Sequence, residues 1–164
     1  STSISDDVQM ELERVAPPHS DEQRYLVRVD AVVDGFYNRR KEYNAGLERI
    51  GARVRLATTE AEHERALRQA ITHLQDADRW FRQDRDDFAL IIPPARFQEV
   101  HLLMKGALHD FVQATNAFMT YYSKNLNQGT QDLELANRGS TLVRTANENV
   151  QRAGYIYAEL LEQK

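Results

Sequence analysis

The sequence predicts an all-α protein: an antiparallel up-down-up-down four-helix bundle over residues 20–164, preceded by an N-terminal extension over 1–19. Three observations lead there. Long stretches carry apolar residues at helical spacing, the breaks between them are only two or three residues, and Gly and Pro are scarce. The chain has 7 Gly and 4 Pro, and the prolines fall in two pairs, Pro17-Pro18 and Pro93-Pro94, which act as punctuation. At 164 residues it is one domain, a size that buries roughly 70 % of the surface exposed by the unfolded chain.

Residues 1–19 form the first segment. Asp6, Asp7, Glu11, Glu13 and Arg14 sum to −3, while Ile4, Val8, Leu12 and Val15 lie along one stripe. The segment is expected either as a tether or as a short helix over 4–15 docked on the third helix. The first bundle helix, over about 20–56, opens on Ser20-Asp21-Glu22-Gln23, a capping box that gives orphan amides an acceptor. Its seam reads Val29, Val32, Phe36, Tyr43, Leu47, Ile50, Val54. The second, over about 59–90, opens on the similar box Thr59-Glu60-Ala61-Glu62, with a seam of His63, Leu67, Ala70, Leu74, Ala77, Phe81, Asp84 and Phe88.

Pro93-Pro94 is expected to open the third helix, over about 93–127, because Pro at the first helical position loses no hydrogen bond. Its seam reads Phe97, His101, Met104, Leu108, Phe111, Thr115, Phe118, Tyr122. Asn127-Gln128-Gly129-Thr130 breaks the pattern before the fourth, over about 130–163, with Leu133, Ala136, Val143, Ala146, Val150, Ala153, Tyr157 and Leu160 inward. Short connections make consecutive helices antiparallel, and at 1.5 Å per residue each is roughly 50 Å long. Phe81, Phe97, Phe111 and Phe118 are the expected large core residues.

Composition removes several functions. The net charge of −4 lacks the basic excess that nucleic acid selects. The absence of Cys excludes disulfides, thiol catalysis and thiolate metal sites, and no apolar run reaches the ~18–20 residues that cross a bilayer. A di-metal carboxylate site needs two Glu-x-x-His pairs, and only Glu60-x-x-His63 is present, with no Glu on the other three seams. Glu60 reads instead as a first-turn acid favoured by the helix dipole. His101-Leu102-Leu103-Met104-Lys105-Gly106 resembles the signature of histidine phosphotransfer domains. Here Lys and Gly follow at four and five positions rather than three and four, which rotates the Lys by about 100° around the helix. A Ser-His-Asp arrangement has no support either, because Ser123 and Ser140 lie far along the bundle from His101. The chain is read as a non-enzyme without a cofactor or metal.

Two sets of candidates remain. Asp84, the only carboxylate on the second seam, and His101 lie equally far from a tight connection at 91–93, so antiparallel geometry sets them level. A carboxylate there holds the imidazolium and raises the pKa of His101. Such a pair serves either as a polar layer that sets helix register or as part of a ligand site, which Tyr25 and Tyr155 (with Tyr157) would complete from the same end of the bundle. The second set is a surface. The third helix has only 3 basic and 2 acidic residues, and off its seam shows Leu102, Leu103, Gly106, Gln113 and Asn116. That face is cheap to desolvate and suits a partner; the alternative is a more buried helix.

Leu90-Ile91-Ile92-Pro93-Pro94 followed by His101, Ala107 and Ala114, then a last helix with Ala136, Ala146 and Ala153, is similar to small uncharacterised extracytoplasmic helical domains of bacterial lipoproteins. The resemblance spans about 21–163. It implies export, an upstream lipid anchor, a binding role in the cell envelope toward a protein or small molecule, and no catalytic residues. The missing Cys fits, since the lipidated Cys would lie upstream of Ser1. A cytoplasmic signalling or scaffolding bundle is the alternative.

Overall fold

A computed structural model describes residues 20–163, and the extension over 1–19 with its expected helix over 4–15 lies outside them. The described residues hold four long helices packed against one another and no strand. These are α1 (Asp21–Leu56), α2 (Glu60–Ala89), α3 (Gln98–Gln128) and α4 (Leu133–Glu162), with a 3-10 turn at Ala95–Phe97 before α3. No described helix is long and apolar enough to cross a membrane.

The helix ends follow local chemistry. Ser20 makes the reciprocal box: the Gln23 amide donates to Ser20 Oγ at 3.2 Å, and the Ser20 amide donates to Gln23 Oε1 at 3.0 Å. At α2 only half of the expected box forms. Thr59 Oγ1 accepts from the Glu62 amide, but the Glu62 carboxylate accepts from Thr58 instead of Thr59. Gly129 ends α3 at φ 66, a left-handed cap that glycine adopts without a Cβ penalty. The α4 N-cap is Asp132, whose carboxylate accepts from the Leu135 amide and from Lys124 Nζ, so α4 starts three residues later than expected.

An aromatic tier fills the centre. Tyr43 meets Phe81 edge-on with ring centroids 4.9 Å apart, and Phe81 stacks on Phe111 at 5.1 Å. Phe36 reaches Phe111 at 5.6 Å. Thr115 closes the tier by donating to the Phe111 carbonyl at 2.7 Å and sharing a hydrogen bond with the Tyr43 hydroxyl at 3.0 Å. Phe81, Phe97 and Phe111 are fully buried, as expected, whereas Phe118 is half-buried, with its ring over Gly139 on α4. Leu133, expected on the fourth seam, is exposed: it is the first residue of its helix, beyond the end of the core.

Backbone spacing is uneven. α3 packs closely on both α2 and α4, and α1 packs on α2. No Cα of α1 comes within 8 Å of a Cα in α3 or α4. Side chains alone bridge that seam.

Candidate functional site

The sequence brought Asp84 and His101 to one layer; the structure separates their partners. Asp84 is buried at 1 % exposure and is held by Arg39 of α1, whose Nε donates to Asp84 Oδ2 at 3.1 Å and whose Nη2 donates to Oδ1. His101, 3 % exposed, stacks on Phe88 with centroids 4.1 Å apart and planes within 12°. The cause lies in the connection. α2 ends at Ala89, residues 90–94 are extended or turn, and a 3-10 turn intervenes, so α3 begins at Gln98 rather than at the prolines. The longer connection slides α3 along α2 until His101 meets Phe88, four residues and about one helical turn beyond Asp84.

His101 is instead the inner end of a hydrogen-bonded chain. Its Nδ1 lies 2.9 Å from the Tyr25 hydroxyl, which lies 2.8 Å from the Tyr157 hydroxyl. The Phe88 backbone favours the protonated ring from the other side. With one proton on each hydroxyl, a neutral ring accepting at Nδ1 gives a consistent direction: Tyr157 donates to Tyr25, and Tyr25 donates to His101. Burial pushes the His101 pKa below its ordinary value of 6.5, the Phe88 contact opposes this, and Lys105 adds to the lowering. This corrects the expected rise, since no carboxylate faces the ring. Burial raises both tyrosine hydroxyls, so they remain protonated donors. Asp84 shifts upward, because burial outweighs its hydrogen bonds with Arg39.

Tyr155 does not join this layer. It is 65 % exposed, and Tyr157, two positions on, takes the place at Tyr25. Two residues on a helix differ by about 200° in direction, so only one of the pair can face inward. The end is shut by Arg96 in the 3-10 turn, which the sequence reading missed. Its Nη1 donates to the Leu160 and Gln163 carbonyls at 2.7 and 2.9 Å, caps that the last turn of a helix lacks on its own. Its Nε and Nη2 grip Glu22 at 3.1 and 3.0 Å, and its guanidinium lies over Phe97. Phe97 in turn contacts Tyr25 and Tyr157. The layer is filled by its own rings, and a ligand would have to displace one to enter.

No protein family, curated protein or solved structure matches this chain. Function must therefore be read from geometry. The low-charge face of α3 divides: Leu102 and Gly106 are exposed, whereas Leu103, Gln113 and Asn116 are half-buried. α3 also buries Val100, Ala107, Val112, Ala114 and Ala117 because it touches both α2 and α4. Among the described residues no cluster of three or more His, Asp or Glu is arranged to hold a metal.

A different feature faces water. Along the wide seam between α1 and α4 runs a groove of about 660 Å³, lined by Tyr37 and Arg40 of α1 and by Asn147, Gln151, Gly154 and Tyr155 of α4. Sequence reasoning flagged only Tyr155 in it. A faint signal for the rest existed, since Asn147, Gln151 and Tyr155 recur at helical spacing.

Proposed function

We propose that the chain is a non-enzymatic ligand-binding or interaction module, built as an antiparallel up-down-up-down bundle and working outside the cytoplasm, as its likeness to lipoprotein domains implies. The observation that carries this reading is the division of polar groups. His101, Tyr25, Asp84 and Thr115 are buried and satisfied by protein partners, with only Asn125 Nδ2 and His73 Nε2 buried without one among the described residues, while the polar groups of the α1–α4 groove are open to solvent. Buried, mutually satisfied groups specify a register; a reacting centre needs groups that meet a substrate. The antiparallel order is supported by cross-helix pairs that climb one helix as they descend the next: Arg39 with Asp84 and Arg53 with Gln69 between α1 and α2, Phe118 with Gly139 and Lys124 with Asp132 between α3 and α4. The net charge of −4 favours a protein or small molecule over nucleic acid as partner.

A thermal-shift screen over metals, sugars, organic acids and peptides tests the reading. A ligand at a hundred times its dissociation constant raises stability by about 2.7 kcal/mol, and the bound compound should be recovered unchanged. Chemical turnover of a bound compound, or no saturable shift with any class, would overturn it. Fractionation of cells making the native protein tests the compartment: recovery only from the cytosol would refute export.

A further inference from the structure

We propose that the groove between α1 and α4 binds an anionic sugar, with Arg40, held on the Tyr37 ring, taking the acidic group and Tyr155 presenting its ring face to the sugar. This rests on the reading of the chain as a ligand-binding module and names the site and the ligand class. The first argument is the state of Arg40. Its neighbour Arg39 is committed to Asp84, and Arg96 to Glu22. Arg40 has no carboxylate or hydrogen-bond partner among the described residues, and its guanidinium is steadied only by the Tyr37 ring, 5.2 Å from the centroid. Stacking holds the cation in place and leaves its N–H edge available for a carboxylate or phosphate in a two-point contact.

The second argument is what surrounds the cation. Asn147 and Gln151 stand on the opposite wall, one turn apart, and each carboxamide offers both a donor and an acceptor. That pairing matches hydroxyl groups, which also donate and accept, better than it matches a simple carboxylate. Gln151 reaches its neighbour Tyr155 only at 3.5 Å, so the amide is not committed. Tyr155 is 65 % exposed beside them, a free aromatic face on which the C–H face of a sugar ring can lie.

The third argument is Gly154. A Cβ built there would meet only the Tyr37 hydroxyl, at 3.8 Å, so no packing requirement calls for glycine at this position. Gly139, by contrast, is pressed by the Phe118 ring. Glycine inside a helix is unfavourable relative to Ala, and at Gly154 its effect is to keep the floor of the groove low. At about 660 Å³ the groove falls in the range of small-molecule sites.

The test uses the whole chain, titrated in low salt with trigalacturonate, neutral cellotriose or citrate and followed by backbone-amide NMR and calorimetry. Trigalacturonate should bind saturably, moving the amides around Tyr37, Arg40, Asn147, Gln151 and Tyr155, and should weaken as salt is added. Cellotriose should bind at least tenfold more weakly for want of charge, and citrate at least tenfold more weakly for want of a ring face. Arg40→Gln should lose tenfold or more, and Tyr155→Ala several-fold. Gly154→Leu should block the site while keeping the parent's melting temperature or raising it, which separates occlusion from misfolding. The proposal is overturned if trigalacturonate does not bind, if citrate binds as tightly, if the shifts map elsewhere, or if Gly154→Leu binds like the parent. Failure here with a saturable shift from another compound class in the thermal screen would leave the ligand-binding reading standing.

Discussion

The α3–α4 seam and the α1–α4 seam belong to one bundle but are built from opposite materials. α3 and α4 carry small buried residues, Ala107, Ala114 and Ala117 on one and Gly139, Ala146 and Ala153 on the other, and their backbones approach closely. α1 meets the rest through rings: Phe36 and Tyr43 on the central tier, Tyr25 on the end layer. Its backbone stands apart from α3 and α4, with no Cα within 8 Å of theirs. Side-chain volume at a contact sets interaxial distance, so the close seam is sealed and the wide one leaves a groove.

Removing a spacer should break the comparison most severely. Phe111 touches Phe36, Tyr43 and Phe81, and Phe111→Ala should cost about 3–5 kcal/mol through lost transfer energy and a cavity. Chemical denaturation measures this; a loss under half a kcal/mol would mean that the tier does not hold α1 in place. Filling the close seam should do less. At Gly139 a Cβ would fall inside 3.0 Å of the Phe118 ring, so Gly139→Val should cost about 1–3 kcal/mol by overpacking. Adding Phe118→Ala should recover part of that loss in a double-mutant cycle.

The smallest expected effect is a pH dependence that sharpens the contrast between filled and open regions. Burial lowers the pKa of both His101 and His73 below the ordinary 6.5; Arg49 adds to the lowering at His73, while Glu42 and Asp76 oppose it. A folded pKa below the unfolded one means that the unfolded chain binds the extra protons. The stability held by the neutral rings is complete above about pH 6.5 and is lost as pH falls through the lower folded values. The melting temperature should drop between pH 7.5 and 5.5, and His101→Gln should flatten part of that slope. An unchanged slope in the variant would place the His101 ring in water.

Much of the scaffold was legible in the residues. The Ser20 box, the Thr59 cap, the Gly129 stop and the alternation of three and four along each seam depend on neighbours within one turn, and they found their places. The candidate site was less legible. Tyr25, His101 and Tyr157 do share a layer, but the partner chosen for His101 was wrong by one turn, and Tyr155, expected at the same end, faces outward. Arg39, off the seam, gave no sign that it would reach across to Asp84. Its stem is long enough to cross between helices, so its partner depends on register rather than on spacing.

By itself, then, the sequence determined that the chain is helical, where the breaks between helices fall, and which stripe of each is apolar, because these rest on hydrogen bonds and spacing within a few residues. Only the tertiary structure decided which side chains meet. The longer α2–α3 connection moves the contacts between those helices by about a turn, and the side chains that meet across each seam set how far α1 stands from its neighbours. Both are properties of whole helices against one another. They fix the Tyr157–Tyr25–His101 chain inside the bundle and leave the Arg40 groove open on its flank.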